Sequence, residues 1–161
     1  MTTIAERPAA TQVGMGQTVL AEKPSRLSAV LGSCVGVVLY HARLQIGAMS
    51  HVVLPNSNGR TGTAAKFADS AIPHMLTLLE QRGAFPSGMV AKIAGGSCMF
   101  GNGGPLQIGE ANIKAATAAL EAAGIKIVGR DLGGSCGRRI SFNPENGQVT
   151  VESVGLPSRV I

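Results

Sequence analysis

Tryptophan is missing from this chain, and one tyrosine and four phenylalanines are the only rings of that kind among its 161 residues. Aromatics make up 3% of the composition against 45% for all hydrophobic types. The interior therefore has to be built from Val, Ile, Leu, Met and Ala. So few rings also leave little to stack on nucleobases. The basic residues are dispersed, with one adjacent pair at Arg138-Arg139, so nucleic acid is disfavoured as a partner despite a net charge of +5. Charged residues are scarce, at 14%, and with this much apolar content extended disorder is excluded for most of the chain. Three cysteines cannot all pair within one chain, and no Cys-x-x-Cys pair offers a zinc site. The expectation is no metal and no cofactor. The opening "MTTIAERPAATQVGMGQ" has no apolar stretch of signal-peptide length, and no run approaches a membrane span. The expected setting is the cytoplasm, with reduced thiols and no membrane insertion.

What the chain has in quantity is glycine, 22 residues of it, set between short apolar runs. The length suits one domain with a real core. Residues 1–11 read as a flexible tail and residues 12–161 as the domain. "QTVLAE", "SAVLGSCVGVVLYH" broken at Gly32, and "IGAMSHVVLP" read as strands, with residues 41–45 as a turn. The unbroken run Val35–Tyr40 predicts a strand covered on both faces. "NSNGRTGT" is a loop by composition. Ala64, Phe67, Ala68, Ala71, Ile72, Met75, Leu78 and Leu79 then recur at helical spacing. Pro73 either kinks that helix or lies in the first turn of one capped by Ser70. "MVAKIAGG" is a further strand. "GEANIKAATAALEAAG" predicts a second helix with Ile113, Ala116 and Leu120 on one face, stopped by Gly124. "IKIVGRDLGG" predicts a strand, and "RRISFNPENGQVTVESV" a hairpin turned at Asn146-Gly147. Strands outnumber helices without alternating regularly with them. The fold class is α+β, with mixed sheets flanked by two main helices.

Gly-Ser-Cys occurs three times, ending at Cys34, Cys98 and Cys136. A thiol at the head of an apolar strand is ordinarily a small core side chain. Cys34 differs in following a Gly32-Ser33 turn, whose amides can lower a thiol's pKa or hold an oxyanion. It is also followed, in the next strand, by His51. If those strands are antiparallel neighbours, the imidazole can take the thiol's proton. The plainer reading of His51 is a buried ring bonded to a carbonyl. Ser28, on the preceding strand, is a candidate to orient the ring. His41 is expected to be solvated in a turn and His74 to lie near the surface of the helix. "FGNGGP" reads as a flexible loop without the Gly-Lys-Ser/Thr ending of a phosphate loop.

Several blocks carry a resemblance in their order and spacing. They are "VGMGQ" at 13–17, "LGSCVGVVLY" at 31–40, "GAMSHVVLP" at 47–55 and "KFADSAI" at 66–72, then "KIAGGSCMF" at 92–100, "IGEANI" at 108–113 and "DLGGSCGRRI" at 131–140. Together the series resembles the CheD family, the chemoreceptor glutamine deamidases of chemotaxis. That resemblance implies a single-domain α/β sandwich and a protein-glutamine glutaminase. It also implies Cys34 as nucleophile, His51 as base and Ser28 as third member, with Cys98 and Cys136 incidental. The implied substrates are glutamines on the cytoplasmic helical domain of methyl-accepting chemoreceptors, and the phosphatase CheC is an implied partner. Two rival readings remain at this point: an adaptor that binds CheC or receptors without catalysis, and another thiol chemistry such as a transglutaminase or redox sensor.

Overall fold

The computed structural model describes residues 9–60, 62–98 and 107–161. The chain opens with strands β1 (Ala10–Gln12), β2 (Thr18–Glu22), β3 (Arg26–Leu31), β4 (Val35–His41) and β5 (Ile46–Val52). Helix α1 (Ala68–Glu80), strand β6 (Met89–Gly95) and helix α2 (Ile108–Ala122) follow. The last part holds β7 (Lys126–Leu132), β8 (Arg138–Asn143), β9 (Gln148–Glu152) and β10 (Arg159–Val160).

Every residue of β4 and of β5 is buried, the two-sided burial that an uninterrupted apolar run demands. Both strands lie inside a five-stranded sheet ordered β2-β5-β4-β6-β7. A second sheet, ordered β1-β3-β8-β9-β10, lies against it. Each sheet is mixed, because β6 pairs with β7 and β1 with β3 in parallel while the other ladders are antiparallel. Alternation along β4 separates two cores. Val35, Val37 and Leu39 pack with Met75, Leu79 and Leu120 of the helices. Val38 and Tyr40 pack with Leu27, Ile140 and Phe142 of the second sheet. The layers are thus helices, sheet, sheet, which is the α+β sandwich expected.

The details depart from expectation at several places. Ala10–Gln12, partly assigned to the tail, pairs in parallel with Arg26–Ser28. Residues 1–8 lie outside the described residues, as does the "FGNGGP" segment. Helix α1 starts at Ala68 and runs through Pro73, and Ser70 is not its cap. The Ser70 hydroxyl instead donates back to the Ala64 carbonyl at 2.5 Å. Ala64–Lys66 form a separate 3-10 turn before the helix. His41 is the last residue of β4 and is buried, not solvated, with Nδ1 accepting the Leu44 N–H at 3.3 Å. It is held there because Gly88 packs against its ring. Half-buried His74 fits the expectation for a helix flank. The β8–β9 hairpin has the expected register, Phe142 opposite Val149 and Ile140 opposite Val151. Gly147, with φ 76°, closes it by donating to the Asn143 carbonyl at 2.8 Å.

Two polar ties join the sheets where the apolar core ends. Asp131 on β7 accepts from Arg138 on β8 at 2.6 Å and from Arg159 on β10 at 2.5 Å. The hydrogen bond from Arg159, with help from Arg138, holds this carboxyl below the usual carboxylate range. Lys92 on β6 donates to the carbonyls of Gly147 and Ile161, and burial lowers its ammonium pKa.

The sheets meet most tightly at Gly47. A Cβ there would stand 2.5 Å from Phe142 Cζ and 2.6 Å from the Leu39 carbonyl oxygen, which is backbone and cannot swing aside. Gly47→Ala is expected to destabilise the fold by about 1–3 kcal/mol, the usual cost of overpacking a filled core. Urea denaturation checks this, and an unchanged midpoint would show that the sheets can part there.

Candidate active site

Cys34 lies in the short connection between β3 and β4, where the chain leaves one sheet and enters the other. Such a connection must find partners for backbone groups that no ladder satisfies. Here three consecutive carbonyls are taken. Gly32 O accepts from Ser97 N at 3.0 Å, Ser33 O from Asn112 Nδ2 at 3.0 Å, and Cys34 O from Gly96 N at 2.9 Å. A trans peptide points its N–H opposite to its carbonyl. The amides of Ser33, Cys34 and Val35 therefore face away from these partners. Among the described residues, the Ser33 and Cys34 amides donate no hydrogen bond. The second Gly-Ser-Cys block thus has a structural task of its own, since its Gly96 and Ser97 amides floor the loop of the first.

His51 sits on β5 directly opposite Gly36 of β4, in the antiparallel pairing of neighbouring strands that the sequence suggested. It is buried, 4% exposed. Its main chain is bonded on both sides to the "VGMGQ" segment: Gly16 N donates to His51 O at 2.9 Å and His51 N to Gln17 O at 3.0 Å. The same segment fixes the ring, because Nδ1 lies 2.9 Å from the Val13 carbonyl oxygen. A carbonyl can only accept, so Nδ1 carries the proton and the neutral ring presents a bare lone pair at Nε2. The bond a purely structural histidine would make is also the bond that sets the tautomer a base needs.

Ser28 is placed differently from Cys34 and His51. Leu27, Ala29 and Leu31 of β3 all enter the core between the sheets. Period-two alternation puts Ser28 on the face of β3 turned away from that core, where it is nonetheless buried, 2% exposed. Among the described residues no hydrogen bond runs from the Ser28 hydroxyl to the His51 ring. The link between them is main chain: Val13 N donates to Ser28 O at 2.8 Å while Val13 O holds His51 Nδ1. Cys98 N donates to Gly134 O at 2.9 Å, and Cys136 is an exposed free thiol.

Cys34 is buried, 9% exposed, and burial pushes its thiol pKa up. Among the described residues no hydrogen bond joins Sγ to the His51 ring. Burial therefore keeps Cys34 as the protonated thiol. Among the described residues no three His, Cys, Asp or Glu side chains are gathered as metal ligands would be.

Residues 53–153 match the family model described as CheD chemotactic sensory transduction. The chain belongs to the CheD family. The matched span begins just past His51, but full-length relatives extend the likeness over the rest. A protein of Desulforamulus reducens named "Probable chemoreceptor glutamine deamidase CheD" is 40% identical, over 98% of this chain and 99% of its own. One of Syntrophomonas wolfei with the same name is 38% identical, over 93% and 97%. The "Chemoreceptor glutamine deamidase CheD" of Thermotoga maritima is 37% identical, over 89% and 91%. CheD membership agrees with the blocks noted in the sequence, among them the one that supplies Gly96 and Ser97.

Two contributors carry no signal in residue type. The Val13 carbonyl is main chain, which any residue supplies. Asn112 sits among the small and apolar residues of α2 that face the core. Gly95 is a third necessity of the loop: its φ is +107°, and a Cβ would run into the Cys34 carbonyl oxygen. Gly95→Ala is expected to cost more stability than Gly83→Ala, where φ is +79° but the space is open. Strained φ alone costs about 1–3 kcal/mol, so the excess in thermal denaturation reads the collision with the Cys34 loop.

Proposed function

We propose that this protein hydrolyses glutamine side-chain amides of methyl-accepting chemoreceptors to glutamate, releasing ammonia. The observation that carries the reading is the His51 tautomer. A carbonyl on Nδ1 leaves Nε2 bare, on the strand neighbouring the one that Cys34 leads into. Relatives named chemoreceptor glutamine deamidase, matched over nearly their whole length, support the substrate class.

In this reading His51 Nε2 takes the Cys34 proton as sulfur attacks the amide carbon, because burial disfavours a standing thiolate. The developing oxyanion is met by the Ser33 and Cys34 amides, which face away from their carbonyls' partners. The C–N bond breaks as protonated His51 gives its proton to the departing ammonia. A thioester between Cys34 and the new acyl group remains. Water, deprotonated by His51, attacks the thioester carbon. The C–S bond breaks to free the new carboxyl group, and His51 returns the proton to the Cys34 sulfur. Ser28 acts as a positioning residue through Val13, whose two main-chain bonds connect its carbonyl to the imidazole. The cytoplasm is the proposed compartment. Among the described residues no helix is long and apolar enough to cross a membrane.

The missing bond between Sγ and the ring favours one second reading. In it the protein is a regulatory partner of receptors or of the phosphatase CheC, with little catalysis of its own. Mass spectrometry of a receptor cytoplasmic fragment separates the two. Under the enzyme reading Cys34→Ala abolishes conversion of glutamine to glutamate. His51→Ala lowers kcat by about 10²–10⁴, the worth of the proton transfers. Ser28→Ala falls by less, because the carbonyl that touches Val13 survives the substitution. No conversion by the wild-type chain would sink the enzyme reading and leave the partner role. Full conversion by Cys34→Ala would overturn Cys34 as the nucleophile.

A further inference from the structure

We infer that Asn112 is a positioning residue for the Cys34–His51 pair, holding the nucleophile's loop to the histidine's strand with one carboxamide. The inference rests on the Cys–His reading and adds to it a residue on the opposite side of the site from Val13. Asn112 Nδ2 lies 3.0 Å from Ser33 O, in the loop that carries Cys34. It also lies 3.0 Å from Val53 O, in the segment that continues β5 beyond His51. An amide nitrogen has two hydrogens, and both are used on these two carbonyls. The orientation of the side chain follows from its surroundings. Turned over, Oδ1 would face two acceptors and leave all three oxygens unpaired.

Asn112 is fully buried, 0% exposed, and its Oδ1 has no partner among the described residues. A helix position selected only for packing would carry an apolar side chain here, as Ala116 and Leu120 do on the same face. The helix is brought close enough to deliver the amide by Gly109. A Cβ there would stand 2.5 Å from Gly96 O and 2.6 Å from Ser97 O, the main chain that floors the Cys34 loop. Asn112, three residues on, shares that face.

The middle carbonyl of the loop is thus the one held by a side chain, and its peptide carries the Cys34 N–H. Without Asn112 that peptide is free to rotate. Rotation would swing an oxyanion donor away and change the approach of sulfur to the ring, while the outer two carbonyls stay bound to Gly96 and Ser97.

The test is a double-mutant cycle read on Cys34 itself. The rate of Cys34 alkylation by iodoacetamide is followed across pH by peptide mass spectrometry. The full chain is used as wild type, His51→Ala, Asn112→Ala, isosteric Asn112→Asp, and the combined variants. His51→Ala is expected to slow Cys34 about tenfold near neutral pH, each Asn112 variant to do the same, and the combination to slow it no further. Cys136 serves as an internal control whose rate stays constant. Asn112 variants that retain the whole dependence on His51, with effects that multiply, overturn the positioning role and leave the Cys–His reading intact. If His51→Ala leaves Cys34 unchanged in the otherwise wild-type chain, the Cys–His reading fails and the Asn112 role falls with it. Should neither Asn112 variant fold, exchange of the Asn112 side-chain amide protons is measured by NMR in the wild type. Slow exchange of both supports the double bond to Ser33 and Val53, and rapid exchange overturns it.

Discussion

Residues 32–34 must cross from one sheet to the other without leaving their carbonyls dry and unpaired. Each orphaned buried carbonyl would cost about 1–3 kcal/mol, so three of them would consume much of the stability of a domain this size. The fold meets this demand from one side only, with the amides of Gly96 and Ser97 and the side chain of Asn112. Much else follows from that choice. Gly95 must be glycine to let the next strand pass beneath Cys34 O, and Gly109 must be glycine to bring α2 within reach. The amides of Ser33 and Cys34 are turned the other way. In the proposed reading, a solution to a folding problem thereby supplies the donors for the oxyanion.

The other half is the imidazole, and it too is organised by main chain. The 13–17 segment bonds to His51 at its N–H, its carbonyl and its ring. The group on Nδ1 is a neutral carbonyl. An orienting carboxylate would stabilise an imidazolium more strongly than a carbonyl does. A carbonyl fixes which ring nitrogen carries the proton, beside a Cys34 thiol that burial keeps protonated. The Cys34 thiol thus stays protonated between the sheets, in a setting where a standing thiolate would be costly.

Periodicity makes most of the architecture legible. The apolar run of β4, the helical face of α1 from Ala68 to Leu79 and the alternation of the β8–β9 hairpin each answer to a repeat in the chain. Cys34 and His51 are legible as candidates because each is a reactive residue in an otherwise apolar run. Ser28 shows where spacing stops informing. Its distance in sequence from Cys34 says nothing of which face of β3 it occupies, and a shift of one residue reverses the face. His41 misleads because a polar residue after an apolar run resembles a turn, whereas Gly88 leaves room for the ring. Val13 and Asn112 are hidden for opposite reasons. Val13 contributes only its carbonyl, whereas Asn112 reads in the sequence as a polar interruption of an alanine-rich helix.

The partners of the Cys34 loop lie far along the chain from it. The Ser33–Asn112 bond spans 79 residues, and the Val13–His51 bond 38. During synthesis the thiol and the imidazole leave the ribosome early, well before α2 exists to hold the loop. A nascent or truncated chain ending short of that helix carries both reactive groups with its middle carbonyl still unclaimed. In the proposed reading, competence thus arrives late in translation, once α2 is there to hold the Cys34 loop.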